Sequence, residues 1–226
     1  MGSIFDTSEA KKLPGVAAVL TADDIPGEKQ TGYIFKDWPV LIPEGHITMC
    51  IGDAIAAIAA ETAEILEEAK KLVKVEYEVL QPIFSYQESR ERKIQIHEDR
   101  DNLILEQHIK RGNVEEAIKN SKYVVTTKYR TPYNEHAFME PECAVAVPEG
   151  EDGIHLFCGD QGLYEARRKV APILGIPEEK FHVTAAIVGG AFGGKNDIVV
   201  QHHASLLAFI TKRPVKVMLT RQESIQ

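Results

Sequence analysis

The residues best equipped for chemistry lie between Phe181 and Asn196, in the run F-H-V-T-A-A-I-V-G-G-A-F-G-G-K-N. An apolar stretch ending at Val188 breaks into two glycine pairs, Gly189-Gly190 and Gly193-Gly194, with Ala191 and Phe192 between them. Such a glycine density lets the backbone take positive φ and approach closely whatever lies above it. If a strand enters this loop and a helix leaves it at Asp197, several N–H groups converge on one point. The helix start would add positive potential there. That arrangement suits an anion, a phosphate or a metal oxo group.

A phosphate-loop reading comes close. Gly189 to Lys195 satisfies G-x-x-x-x-G-K, but Asn196 stands where that motif needs a Ser or Thr hydroxyl for magnesium. The dinucleotide fingerprint G-x-G-x-x-G is absent. A second polar cluster, Asn134-Glu-His-Ala-Phe-Met-Glu140-Pro-Glu, could supply hydrogen bonds or ligands. His136 with Glu135 and Glu140 lacks a second histidine at metal spacing, so a zinc site is not expected. His202-His203 are adjacent, point to different helix faces and read as core or solvated residues. Neither a Gly-x-Ser-x-Gly elbow nor a nucleophilic cysteine setting occurs.

The elements that must position these groups follow from periodicity. A short polar helix over 6–12 stops at Leu13-Pro-Gly15, and Val16 to Leu20 reads as a buried strand. Residues 28–45 read as a long loop, and Ile51 to Ala60 as a buried strand. A helix follows with Ile65, Ala69, Leu72 and Val73 on one face. The period then becomes two, with Val73, Val75, Tyr77 and Val79 alternating with charged residues, a strand with one wet face. Residues 85–112 are charged and aperiodic and read as an extended linker, with His97 and His108 in solvent. Asn113 caps a short helix through Asn120. Strands are expected over 123–130, 142–147 and 154–158, with a turn over 148–153. A helix over 163–174 ends at Gly175, and the strand into the glycine loop comes next. A helix over 197–212 and a strand over 215–219 complete the pattern, with no internal repeat.

The 226 residues carry a net charge of -8, from 34 acidic and 26 basic side chains, which repels phosphate backbones and speaks against a nucleic-acid partner. No apolar stretch reaches membrane-spanning length and the N-terminus has no signal pattern, so no membrane is expected. Cys50, Cys143 and Cys158 are scattered, forming no disulfide framework and no cluster motif. They read as small buried residues in a reduced, cytoplasmic setting. Met1-Gly2-Ser3 reads as an added leader, and the abrupt start and stop read as a piece of something longer.

Taken together, Asn134 to Pro148, Gly159-Asp-Gln161, Leu174-Gly-Ile-Pro177 and Gly189-Gly-Ala-Phe-Gly-Gly-Lys195 resemble the molybdenum-binding subunit of the xanthine dehydrogenase and aldehyde oxidase family. Leu13 to Pro26 and Ile51 to Thr62 are similar to its hammerhead domain. The resemblance covers nearly the whole chain in order. It implies an α+β fold: an α/β-hammerhead domain over residues 1–84, a linker over 85–112, and over 113–226 the first part of a molybdenum cofactor-binding domain, the molybdopterin-binding domain.

The resemblance also implies the chemistry. The family hydroxylates an N-heterocycle or an aldehyde oxidatively, with water as the oxygen source, using molybdenum on a molybdopterin that is often the cytosine dinucleotide form. By the match, Gly190, Ala191, Phe192, Gly193 and Gly194 would lie against the cofactor, and Phe192 would also wall the substrate channel. Asn134 stands where relatives carry a glutamine that hydrogen-bonds the apical oxo ligand. Asn196 stands where xanthine-specific members carry a substrate-binding glutamate, so xanthine itself is not the favoured substrate. The E-H-A-F-M-E-P-E version is most similar to bacterial purine or nicotinate hydroxylases. The family's general-base glutamate is expected beyond residue 226, and iron–sulfur and FAD groups on partner subunits or domains. The implied polypeptide is therefore inactive and cofactor-free by itself, with no catalytic residue and no direct metal ligand of its own. Its partners would be the remaining domain of the molybdenum subunit and the iron–sulfur and FAD subunits. Two alternatives stay open at this point: a P-loop-like nucleotide-binding protein, and a non-catalytic assembly module.

Overall fold

A computed structural model describes residues 4–97 and 99–225; Met1 to Ser3, read above as a leader, lie outside the described residues. The chain groups into two compact units, one of residues 1–78 with 134–226 and one of residues 79–133. The expected domain limits at 84 and 112 both fall within the second unit.

The first unit opens with β1 (Ile4–Asp6), the helix α1 (Ser8–Lys12) and β2 (Val16–Leu20). Two-residue strands β3 (Gln30–Thr31) and β4 (Trp38–Pro39) pair with each other, and β5 (Ala57–Ala60) pairs antiparallel with β2. The buried strand expected from Ile51 is thus confined to its last four residues. Helix α2 (Ala63–Leu72) follows, its N-terminus closed by the Thr62 hydroxyl, which accepts from the Ile65 N–H at 3.3 Å. Strand β6 (Lys74–Glu76) returns to pair with β1. The long loop over 28–45 conceals a core element: Val40, Leu41 and Ile42 are all fully buried, and Val40 and Leu41 share one cluster with Leu20, Ala57 and Ala59.

In the second unit, α3 (Tyr86–Glu91) occupies part of the expected linker, because Ser85 and Glu88 form a reciprocal capping box. Asn102 fastens the following turn: its amide donates to Ser89 and Ile94 carbonyls at 3.2 and 2.8 Å, and its oxygen accepts the Ile96 N–H. Helix α4 (Val114–Asn120) starts at Asn113 as expected, with the Asn113 side chain accepting from Glu116 N–H. The strand expected over 123–130 does not form. Its alternation is real, but no described strand pairs with it, and Val125 and Tyr129 stand exposed. His108 is exposed as expected, beside Glu106.

The first unit resumes with β7 (Cys143–Glu149), β8 (Gly153–Cys158), α5 (Leu163–Leu174), β9 (Phe181–Ala185), α6 (Gln201–Thr211), β10 (Val215–Met218) and α7 (Arg221–Ile225). The sheet order is β10-β7-β8-β9, antiparallel except for the β8–β9 pair. That pair is parallel because α5 carries the chain back across the sheet, a β–α–β unit. Register places Ala144 opposite Cys158, Ala146 opposite Leu156 and Ile154 opposite Phe181, all buried. Each strand therefore turns one face of its period-two pattern into the core. Helices α5 and α6 cover that face through Ala166, Val170, Ile173, Leu174, Ala204, Leu207 and Ala208. Gly175 ends α5 in the left-handed conformation, φ +67°. The terminal carbonyls of Pro172 and Ile173 accept the amides of Glu28 and Gly27, at 2.9 and 3.0 Å. Gly27 must be glycine, since a Cβ there would sit 2.0 Å from the Pro172 oxygen.

Candidate functional site

The glycine loop is longer than the sequence suggested. Strand β9 stops at Ala185 and α6 starts at Gln201, so no helix leaves the loop at Asp197. The reason lies in the side chains. The Asp197 carboxylate is taken by Lys169 and by the Ile198 N–H, while the Gln201 side-chain oxygen accepts the amides of Val199 and Val200 at 2.7 and 2.9 Å. Helix potential at the glycines is thereby lost, and any attraction there comes from the loop's own amides.

Within the loop, Phe192 has φ +52° and Gly193 φ +92°, and the Gly194 N–H closes the turn on the Ala191 carbonyl at 2.8 Å. Two successive left-handed residues make a primed turn, which a phenylalanine enters only under strain. Among the described residues, the amides of Gly190, Ala191, Phe192 and Gly193 donate to no protein acceptor. Ala191 is only 8 % exposed, although the turn it opens faces free space at Gly193. Space above the turn is open: a Cβ on Gly193 would meet nothing within 4 Å. Phe192 is 76 % exposed, so it is no core aromatic; its ring folds back towards Gly190, 3.2 Å from where a Cβ there would stand.

The flanks of the loop rest on the second polar cluster. Glu140 accepts the Gly189 N–H with both oxygens, at 2.8 and 3.0 Å, and its Oε2 also takes Lys195 Nζ at 3.3 Å. Lys195 is 4 % exposed and lies 4.4 Å over the Phe138 ring. Hydrogen bonds from its own backbone amide, from Lys195 and from Gly189 hold the Glu140 carboxyl below the usual carboxylate range. Gly194 gives room to the segment's other rings, since a Cβ would come within 2.7 Å of Phe138 and 3.0 Å of His136. Arg221 donates to the carbonyls of Phe138 and Met139 from the far side.

A third segment, Gly159 to Gly162, closes the arrangement. The Gln161 N–H donates to the Lys195 carbonyl at 2.8 Å, and Gly162 lies against the Asn196 carbonyl. Buried Asp160 accepts from Gly162 N–H and from the Gln201 amide at 2.6 and 2.8 Å. Burial pushes the Asp160 carboxyl above the usual range.

Of the residues singled out from sequence, Gly190 to Gly194 and Asn196 are therefore on one loop, with Phe192 and Asn196 exposed. Asn134 is exposed on the strand-free segment that also carries His136, Phe138 and Glu140 against that loop. Sequence reasoning missed Glu140, Lys195, Phe138 and Arg221 as one group. It weighed Glu140 as a metal ligand and Lys195 as a phosphate lysine, and both instead face each other. No group of three or more His, Cys, Asp or Glu among the described residues could hold a metal ion. His202 is a core residue and His203 is half-buried; their rings lie 3.9 Å apart, and His203 donates to the Val40 carbonyl. Of the cysteines, Cys158 is buried as expected, Cys143 is half-buried and Cys50 is exposed. No described helix is long and apolar enough to cross a membrane.

Comparison with known proteins fits this geometry. Residues 3–81 match the family model described as aldehyde oxidase and xanthine dehydrogenase, a/b hammerhead domain, and residues 96–226 match that of the molybdopterin cofactor-binding domain. The chain is 40% identical over 221 residues to a probable xanthine dehydrogenase subunit of Bacillus subtilis (strain 168), covering 97% of this chain and 29% of that one. It is 37% identical to the nicotinate dehydrogenase large molybdopterin subunit of Eubacterium barkeri, covering 97% of this chain and 51% of the other. Among solved structures, the aldehyde oxidoreductase from Desulfovibrio gigas superposes with a TM-score of 0.90 at 25% identity, over 100% of this chain and 26% of that one. The chain thus spans at most about half the length of these relatives. With hammerhead and molybdopterin-binding models matched in sequence order, the chain belongs to the aldehyde oxidase and xanthine dehydrogenase family.

Proposed function

We propose that this chain supplies the amide cradle and one wall of a molybdenum hydroxylase site. The enzyme it serves hydroxylates an N-heterocycle of purine or nicotinate type, or an aldehyde, with water as the oxygen source. One observation carries the reading: four consecutive amides, Gly190 to Gly193, lack a protein acceptor among the described residues, on a loop fixed at both ends. The residues fit an oxygen-rich cofactor, because they offer N–H donors, an open space above Gly193 and no competing side chain there. The names of the relatives, a xanthine, a nicotinate and an aldehyde enzyme, support the substrate classes.

When bound, the molybdenum–pterin cofactor supplies the two-electron oxidant that carbon hydroxylation needs. This chain's residues do the holding. The amides of Gly190 to Gly193 would donate to the cofactor's oxygens, and Gly194 keeps the turn closed beneath them. Asn134 would donate its side-chain amide to the same group; one methylene shorter than glutamine, it would reach that group through a water or a shifted backbone. Phe192 excludes water and offers a flat face to a ring substrate. Asn196 can donate and accept at the substrate but adds no charge, so it lacks the negative charge that orients a purine such as xanthine and does not repel an anionic ring such as nicotinate.

On this reading the cofactor is a molybdopterin in its cytosine dinucleotide form. The general base lies in the remaining domain of the molybdenum subunit, iron–sulfur and FAD groups lie on partners, and the assembly works in the cytoplasm. The 226-residue polypeptide by itself neither retains molybdenum nor turns over substrate. The test compares it with the enzyme that carries it: metal per chain by mass spectrometry, and transfer of ¹⁸O from water into nicotinate, hypoxanthine or benzaldehyde. Metal and label are expected in the enzyme only. An enzyme without molybdenum, or calorimetric binding of magnesium-ATP to the loop, would overturn the proposal.

A further inference from the structure

A loop rich in glycine with four unpaired amides would collapse or wander unless something fixed it. One carboxylate does so here. Glu140 grips Gly189, the first residue of the glycine run, and Lys195, the residue directly after it. The grip excludes any side chain at 189, where a Cβ would fall 2.2 Å from Glu140 Oε1. Its base is firm: Lys195 is buried over the Phe138 ring, and Arg221 holds the carbonyls of Phe138 and Met139, next to Glu140 in the chain. Charge matters as well. A bare carboxylate behind an array of amides would cancel their pull on a ligand oxygen, whereas one paired with a lysine leaves that pull intact.

We propose that Glu140 and Lys195 form a positioning pair that sets the amides of Gly190 to Gly193 at the spacing and direction the cofactor requires. The proposal rests on the molybdenum reading above. Neither residue touches the reacting atoms.

The test uses Glu140→Ala, Glu140→Gln and Lys195→Met in the full chain, with amide hydrogen exchange followed at Gly189 and Gly194. Glu140→Ala should speed exchange at both about tenfold, the effect of losing one charge-assisted hydrogen bond. Glu140→Gln keeps an acceptor for Gly189 and should restore Gly189 to within about threefold of the parent. Core amides such as Leu156 and Val170 should not change in any variant. Lys195→Met preserves the buried stem, and should free Gly194 while leaving Gly189 bound. The same three substitutions in the molybdenum enzyme should lower metal per chain in the order Ala, Met, Gln, the alanine variant most. Parent-like exchange in Glu140→Ala would overturn the proposal. So would equal acceleration of core and loop amides, or full metal content in every variant. A metal-free parent enzyme with the expected exchange pattern would sink the molybdenum reading, and the positioning role with it, while leaving the clamp in place.

Discussion

Replacing Phe192 distinguishes a residue kept for its packing from one kept for a site. With φ at +52°, it occupies a region that costs a non-glycine residue roughly 1–2 kcal/mol. Its ring is 76 % exposed, so about a quarter of the ~1.5–3 kcal/mol available from burying a phenyl is at stake, about 0.5 kcal/mol. Phe192→Gly relieves the strain, loses that burial, and adds roughly 0.5–1 kcal/mol of unfolded-chain freedom. The net change is therefore within about 1 kcal/mol of zero. Phe192→Ala loses the ring but stays strained, and should be less stable than Phe192→Gly by about 1 kcal/mol. Urea unfolding of the two variants beside the parent measures the order directly, and in melting the gap is about 2–4 °C. At an ordinary core position the alanine loss would be about 3–5 kcal/mol and glycine would be worse still. That reversed order, or an alanine loss of that size, would refute the reasoning. In the loaded enzyme both substitutions should lower kcat/KM about tenfold or more while stability barely moves, since the ring borders the amides without supporting the core.

Three further outcomes concern buried groups. Burial holds His202 well below the usual imidazole value of 6.5, with His203 adding to it, and lowers His203 as well. The unfolded chain therefore binds more protons once pH drops beneath 6.5, and stability should fall by up to about 1.4 kcal/mol per pH unit for each histidine. Urea midpoints at about pH 7.5 and about pH 5.5 measure it, and His202→Phe should remove much of the slope; a flat profile in the parent contradicts the burial argument. Burial, with Asp160 and Cys143 adding, pushes the Cys158 thiol up to about 12. A thiol reagent at about pH 8 should thus label exposed Cys50 first and Cys158 only on unfolding; early labelling of Cys158 would contradict this. Phe138 is 1 % exposed between Lys195 and Arg221, so Phe138→Ala should cost about 3–5 kcal/mol in denaturant unfolding, and a loss below about 1 kcal/mol would show that its packing is misjudged.

Where local signals were complete, sequence and structure agree closely. Helix α5 begins and ends where its apolar face and Gly175 dictate, and Asn113 caps α4 as its side chain allows. The failures share a cause, which is a partner far away in the chain. Residues 123–130 alternate like a strand, but alternation cannot say whether a second strand is there to pair with. Asp197 has good capping chemistry, yet Lys169, 28 residues earlier, claims it. Val40 to Ile42 looked like loop because three apolar residues are too few to show a period, although the core takes all of them. The glycine loop was legible from composition. Its anchorage was not, because Glu135, Glu140 and Glu142 are equivalent on paper, and only folding selects the one that lies beside Gly189, 49 residues away.

That selection also decides between two readings that share one motif. In a phosphate loop the lysine after the last glycine reaches outward to the phosphates, and a helix starting at once adds its potential. Here Lys195 is turned inward onto Glu140, and α6 begins six residues later, its approach sealed by the Gln201 side chain. Backbone N–H groups are what the loop keeps for a ligand. Partial charges of that kind can orient an oxo or pterin oxygen whose charge is already balanced by its own metal and ring system. A triphosphate needs full cations to offset its charge, and the loop's own lysine is spent on a carboxylate. On the proposed reading, the direction of one buried ammonium separates an amide cradle from a nucleotide site, although both are spelled with the same glycines.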